Sequence, residues 1–340
     1  MIVEATHEGL YCRAGDFYID PKSPVRQAVL THAHSDHATV GSRRYITSDS
    51  SRELTLKRLG KGIELSTFPF GATFKLGKAT VSLHPAGHIL GSSQVRIEVA
   101  GEIWVVSGDY KRDDDPTCER FEVVKCDTFV TEATFALPIY NWPEASTSIN
   151  EIFDWWMKNR SNAKASILFC YSLGKAQRVL GGLLTHTNQP ARLHGAIAPL
   201  TKIYREAGIP LLETLPATIC TSGGDRIDFS QDLIIAPPAA NGTSWMKRFG
   251  KCSTALCSGW MQIRGNRRRR GYDRGFVLSD HADWKGLIKT IKETQANRIL
   301  AVHGRTDVLV KYLREDGYEA EEMKPCRLHT KDSKEGGGEK

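Results

Sequence analysis

A chain of 340 residues, 40% hydrophobic and 25% charged, has the composition of an ordinary globular protein and the length for two cored domains. No stretch approaches the ~20 apolar residues that span a bilayer, and Met1-Ile2-Val3-Glu4 lacks the basic and apolar regions of a signal peptide, so a cytoplasmic location is expected. The net charge of +7 only hints at a polyanionic partner, and eight scattered cysteines without a C-x-x-C pair read as reduced thiols, not a disulfide framework.

In chain order, Leu10–Asp20 predicts a hairpin turning at Ala14-Gly15-Asp16, and Val25–Leu30 predicts a buried strand. That strand leads into Thr31-His32-Ala33-His34-Ser35-Asp36-His37, where three histidines and an aspartate fall within six residues. Alternation along the strand sends His32 and His34 to one side, and a turn lets Asp36 and His37 converge from the other direction. Imidazole nitrogens and carboxylate oxygens are ligands of zinc and similar divalent ions. A single histidine here would be an ordinary turn residue. Four ligand types at this spacing read as a metal site.

Ser50–Leu59 predicts a helix ending at Gly60, Thr67–Leu83 a strand pair around Gly77, and Val95–Val99 with Ile103–Val106 a hairpin through Ala100-Gly101. Three successive apolar strands or strand ends are capped by His88, Asp109 and Glu132, positions that a rigid sheet holds still. From about Leu137 helices and strands alternate: helix Ile149–Lys158, strand Ala165–Phe169, helix from Ser172 to Leu184, helix around Leu200–Ala207, strand Asp232–Ala236. That pattern predicts a parallel α/β unit inserted into the first domain, and it lacks the G-x-x-x-x-G-K-[ST] nucleotide fingerprint. After Ala255–Trp260 come Arg264, Arg267, Arg268, Arg269, Arg270 and Arg274, then a strand Gly275–Leu278 ending at Ser279-Asp280-His281. Helix Lys285–Glu293, strand Arg298–Val302 ending at His303, and helix Asp307–Glu315 follow. The returning strand-end histidines predict a return to the first domain. Lys331–Lys340 reads as a disordered or vector-derived tail.

His32, His34, Asp36, His37, His88, Asp109 and His303 are too many ligands for one tetrahedral zinc and suit two ions sharing an aspartate. His7, His84, His186, His194 and His329 lack such a context and are read as structural.

In this order the motifs resemble those of the metallo-β-lactamase fold: Asp20 first, His32/His34/Asp36/His37 second, His88 third, Asp109 fourth. Glu132, His281 and His303 resemble the three extra motifs of its β-CASP nuclease branch. The wording of Leu30–His37, Ser258-Gly259-Trp260-Met261 and Leu278–Trp284 is similar to bacterial ligase-associated DNA exonucleases. The resemblance implies an α/β fold, an αββα sandwich with an inserted α/β β-CASP domain. The sandwich would take residues 1–138 and 275–326, the insertion 139–274, and the tail 327–340.

By the same resemblance one divalent ion takes His32, His34 and His88, the other Asp36, His37 and His303, with Asp109 bridging. Zinc is implied, manganese being the alternative. Hydroxide between the ions would attack phosphorus, with Asp36, Asp109, Glu132 and His281 as the catalytic set. Asp20 would steady the ligands. His281, held by Glu132, would be the general acid. The implied activity is DNA exonuclease hydrolysis in repair, beside an ATP-dependent DNA ligase and a helicase. RNA-acting members resemble one another in carrying histidine where His303 stands, so a ribonuclease stays open, as does an inactive nucleic-acid-binding subunit. The arginine run is either a phosphate-contacting surface or a solvated loop. Ser172, Lys175 and Ser279 either hold a terminal phosphate or, at a helix start, only cap it. Trp260 and Tyr272 are candidates for base stacking, with a core role the competing reading for Trp260.

Overall fold

The computed structural model describes residues 1–218, 227–263, 265 and 271–324. The chain first lays down a six-stranded sheet whose spatial order follows the sequence: β1 (Val3–Ala5), β2 (Leu10–Cys12), β3 (Phe17–Ile19), β4 (Gln27–Val29), β5 (Arg44–Ser48) and β6 (Glu64–Phe68). Helix α1 (Arg52–Leu59) connects the last two. A second sheet begins with β7 (Thr73–Leu76), β8 (Ala79–Pro85), β9 (Ser93–Val99), β10 (Glu102–Val106) and β11 (Thr128–Ala133). The chain then leaves it for α2 (Ala145–Ser161), β12 (Ala165–Phe169), α3 (Lys175–Leu183), β13 (Ala191–Leu193), α4 (Ala198–Glu206), β14 (Thr214–Pro216), β15 (Leu233–Ala236), β16 (Cys252–Cys257) and β17 (Arg274–Phe276). Those six strands pair only in parallel, in the order β14-β13-β15-β12-β16-β17. Finally α5 (Trp284–Thr294), β18 (Arg298–Gly304), α6 (Thr306–Glu315) and β19 (Glu319–Glu322) complete the second sheet, β18 lying parallel to β11. The result is a mixed α/β fold.

The first two sheets pack face to face. Phe17, Ile19, Val29 and Ile46 meet Val81, Leu83, Ile97, Trp104 and Val106 in one core. Behind the first sheet, Ala28, Leu30 and Tyr45 pack with Leu59 of α1; behind the second, Phe129, Ile299 and Ala301 pack with Leu287, Ile291, Leu309 and Leu313 of α5 and α6. Each large apolar side chain buried here contributes ~1.5–3 kcal/mol, so the layers hold by area rather than by any one contact. The core under α2 and α3 also takes in Leu54 of α1 and Ala33, Ile89 and Leu90, which anchor the third sheet's layer to α1 and to the loops bearing the candidate ligands. No helix among the described residues is long and apolar enough to cross a membrane.

Several local expectations shift. β4 stops at Val29, so His32 and His34 lie on a loop and not on the strand. The Thr31 N–H donates to Asp20 Oδ1 (2.8 Å), which takes it out of the ladder. The helix expected from Ser172 starts at Lys175 because Gly174 has φ +87°, with the Gly174 N–H held by Gln177 Oε1 at 2.8 Å. The strand expected over Gly275–Leu278 is Arg274–Phe276.

One irregularity bears on the site. Glu132 opposes Val302 but Ala133 opposes Gly304, so His303 is an extra residue in β18, at φ +55°. Gly304 follows at φ +75°, and a Cβ there would lie 2.1 Å from the Ala133 carbonyl oxygen. Gly304→Ala is therefore expected to destabilise the protein by about 2–4 kcal/mol and to undo the bulge. Urea denaturation measures this, and an unshifted midpoint would show that the bulge tolerates a side chain.

Candidate metal centre

Every candidate ligand lies at or just beyond the carboxyl end of a strand. His32–His37 follow β4, His88 follows β8, Asp109 follows β10, and Glu132 and His303 sit in the last residues of β11 and β18. Ser279–His281 follow β17, and Tyr171–Lys175 follow β12. They converge on a cavity of about 500 Å³ whose wall includes His34, Asp36, His88, Tyr171, Trp260 and His281.

At its floor, and just beneath it in the case of the fully buried His32, the ligand atoms of His32, His34, His88 and Asp109 all lie within 4.8 Å of one another. His34 Nδ1 is 3.1 Å from His32 Nε2 and 3.1 Å from His88 Nε2. Asp109 Oδ2 is 3.6 Å from His32 Nε2 and 3.7 Å from His88 Nε2. The outward nitrogens decide the tautomers. His88 Nδ1–H donates to the Asp280 carbonyl (2.6 Å), and His34 Nε2–H donates to the Leu173 carbonyl (3.2 Å). His32 Nδ1–H donates to Thr31 Oγ1 (3.0 Å), whose own hydroxyl donates to Asp20 Oδ2 (2.5 Å). With the protons outside, three lone pairs and a carboxylate point inward. Like lone pairs at this spacing repel unless a cation sits among them. Nitrogens at zinc bond lengths in a tetrahedron are ~3.3 Å apart, close to what is found here. Burial, reinforced by the neighbouring histidines, pushes His32 and His88 well below the ordinary imidazole pKa, and burial lowers His34 as well. Neutral imidazole is the form that binds metal. The residues fit a divalent ion.

A second group adjoins the first. His37 Nδ1–H donates to Asp20 Oδ2 (2.8 Å), leaving Nε2 at 3.5 Å from Asp109 Oδ2 and 3.8 Å from Asp36 Oδ2. Burial opposes a charge on His37, but Asp109 and Asp20 outweigh it and raise its pKa well above the ordinary value. This corner wants positive charge. The His303 ring centre is 5.9 Å from that of His37, and both Asp36 and His303 are exposed, so this half is looser than the other. Asp20, itself at φ +45°, braces both halves through Thr31 and His37.

Beside the floor, His281 Nδ1 lies 2.8 Å from Glu132 Oε2 and 4.0 Å from Asp109 Oδ2. Glu132 is fixed by the Tyr110 N–H (2.7 Å to Oε1) and the Thr134 hydroxyl. Burial disfavours the imidazolium, yet Glu132 and Asp109 raise the His281 pKa to about 9.

The expected phosphate contacts fare differently. Lys175 is 3% exposed, and its Nζ lies 2.8 Å from Asp280 Oδ2, so its charge is met within the protein and not offered freely to a phosphate. Ser279 is buried, and its Oγ accepts the His281 N–H (3.1 Å). Ser172 lines the cavity, half-buried. Arg264, Arg267, Arg268, Arg269 and Arg270 lie outside the described residues. Arg274 instead lies over the Phe276 ring and 3.9 Å from Glu151. Trp260 stands in the cavity wall with its ring centre 4.7 Å from that of Phe135, whereas Tyr272 packs near Phe169 at 5.5 Å. Thr31, Leu173 and Asp280 were missed by sequence reasoning. Two of them act through backbone carbonyls, which leave no side-chain signature.

No protein-family model matches the chain. It is 30% identical over 315 residues to a probable DNA ligase of Opitutus terrae, across 92% of this chain but 30% of that protein. Shorter likenesses are to the endoribonuclease YSH1 of Gibberella zeae (34% over 82 residues, 22% of this chain and 10% of the relative) and to its namesake in Aspergillus fumigatus (33% over 76 residues, 22% and 9%). The chain thus spans under a third of the ligase-named relative and a tenth or less of these endoribonucleases. Among solved structures it shares its fold with an Enterococcus faecalis protein of unknown function, at TM-score 0.60 and 12% identity over 88% of this chain and 79% of the other.

The Glu132–His281 pair gives a pH signature in protein stripped of divalent ions. The imidazole pKa is raised to about 9 from an ordinary ~6.5. Its stabilising contribution is therefore complete below about pH 6.5 and is lost as pH rises through about 9. Histidine NMR should find that high midpoint and see it fall when divalent cations are added. A midpoint at or below the ordinary value without metal would rule the pairing out.

Proposed function

We propose that this protein is a metal-dependent nuclease of the metallo-β-lactamase fold and its β-CASP branch, acting as a DNA exonuclease. The single observation that carries the reading is the convergence of three imidazole lone pairs on Asp109, with the Glu132–His281 pair alongside. The sandwich comprises 1–138 and 275–326, the inserted domain 139–274, with 327–340 as a tail; the third sheet's confinement to chain between β11 and β18 supports an insertion there, although β17 carries that sheet two residues past the boundary, to Phe276.

In this reading His32, His34 and His88 would hold one divalent ion and His37, Asp36 and His303 a second, with Asp109 available to both. Zinc suits the donor set, and manganese is the alternative. When bound, such a pair activates water near neutral pH and neutralises charge at the attacked phosphate. The rest falls to the chain. Asp20 keeps His37 and the Thr31 loop in place. Glu132 holds His281 protonated, so that it can give its proton to the departing oxygen. The half-buried aromatic wall at Trp260 offers a face to a base.

The likeness over most of the chain to part of a ligase-named protein supports DNA as substrate. Repair beside an ATP-dependent DNA ligase rests on the motif resemblance. A helicase partner and a cytoplasmic location rest on the resemblance and on composition. A ribonuclease is the second reading, favoured by the endoribonuclease relatives and by His303 at the bulge.

Cleavage of matched end-labelled DNA and RNA strands by the metal-loaded protein tests both readings. Stepwise shortening of DNA alone is expected; cleavage of RNA alone would transfer the protein to the second reading. Asp109→Ala should remain folded and lose several kcal/mol of transition-state stabilisation, roughly a 10³-fold fall in rate. Activity persisting in that variant would end the two-metal reading.

Replacing Arg267, Arg268, Arg269 and Arg270 with alanine is expected to weaken DNA binding. The slope of log K against log[salt] should flatten by roughly 0.7–0.9 for each phosphate no longer neutralised. An unchanged slope would exclude these arginines from the interface.

A further inference from the structure

Two of the three inward-facing histidines take their orientation from chain outside the first two sheets. His34 donates to the Leu173 carbonyl, just before α3, and His88 donates to the Asp280 carbonyl, on the segment that follows β17. Those two segments are joined by buried charges. Lys175 Nζ lies 2.8 Å from Asp280 Oδ2, and Arg178 Nη1 lies 3.6 Å from Asp280 Oδ1 while also donating to the Ser279 carbonyl. Arg178 Nε is 3.4 Å from Asp115 Oδ2, which Lys111 Nζ meets at 2.5 Å. All five residues are at most 7% exposed.

Stability alone does not account for such a cluster. Withdrawing charges from water costs several kcal/mol per ion, and well-packed apolar side chains often do as well. What the charges provide is fixed geometry between Leu173 and Asp280, and so between the acceptors that set two ligand tautomers. Such outer hydrogen bonds orient ligand histidines and tune their affinity.

We infer that Lys175 and Asp280 are positioning residues for the His32/His34/His88 pocket: their ion pair locks the third-sheet segment to the returning chain and thereby aims His34 and His88 at one cation. The inference rests on the metal reading proposed above. The adjoining corner is independent of the clasp, because His37 is held by Asp20 from the end of β3. Coupling of this kind is reciprocal, so an ion in the pocket also tightens the clasp.

The test is a titration of the full chain, stripped of metal, with Co²⁺ followed by visible absorption and with Zn²⁺ followed by calorimetry. Wild type, Lys175→Met, Lys175→Arg and the double variant Lys175→Met/Asp280→Asn are compared. The double variant removes both charges yet keeps the carbonyl at 280, so it guards against misfolding caused by one stranded buried charge. His37→Ala identifies which binding step belongs to which corner. The expected result is a ~10–100-fold loss of affinity in the His32/His34/His88 step, with an altered Co²⁺ spectrum. The other step should stay unchanged, and Lys175→Arg should retain affinity. Wild-type affinity at both steps in a folded charge-removing variant would overturn the clasp, as would equal weakening of both steps. Failure of the wild type to take up either ion would overturn the metal reading itself, and this inference with it.

Discussion

The site is governed by electrostatic repulsion that the fold imposes on itself. His32, His34 and His88 each hand their outer proton to a fixed acceptor, and their inner nitrogens are thereby forced to face one another 3.1 Å apart or nearly so, beside the Asp109 carboxylate. Buried imidazoles resist protonation, so the repulsion cannot be relieved cheaply by taking up a proton. A divalent cation relieves all of it at once. The surrounding sheets serve this end: stiff strands stop at one edge, and short loops carry the donors inward from there.

A second theme is division of labour between carboxylates. Asp109 faces the donor cluster directly, Asp20 stands behind it and braces Thr31 and His37, and Glu132, steadied by Tyr110 and Thr134, is turned to His281. Three acids within one small volume would ordinarily repel and protonate. Here Asp20 and Glu132 have their own hydrogen-bond donors, and burial that would raise the Asp109 pKa is overcome by the adjacent histidines. The same residue type thus plays three parts because its partners differ.

Much of this is legible in the sequence, for physical reasons. Closely spaced ligand-type side chains behind an apolar strand are improbable without a role, and glycine-flanked histidines at strand ends give the more distant members away. The parallel segment is legible from its alternation of apolar strands with helices. Other features are not. Whether His32 and His34 sit on a strand depends on Asp20 capturing the Thr31 N–H, an interaction across eleven residues. Lys175 looks like an anion ligand at a helix start, and only tertiary contact with Asp280, more than a hundred positions away, reveals its buried pairing. Short strands such as β5, β13 and β19 escape notice because three to five residues carry too little periodicity to be recognised.

The chain's departure from the second sheet and late return also shape how the molecule comes into being. β11 pairs with β18 so that Thr128 lies opposite Arg298, 170 positions further on. Closing so long a loop costs chain entropy before any contact rewards it, and non-local parallel pairing of this kind is slow. During synthesis, the stretch bearing His32 through Asp109 emerges well before Leu173, Asp280 and His281 exist to orient it. The donors therefore precede their geometry. A half-made chain carries the candidate ligands without the aim, so any cation that these residues bind is captured late in biogenesis.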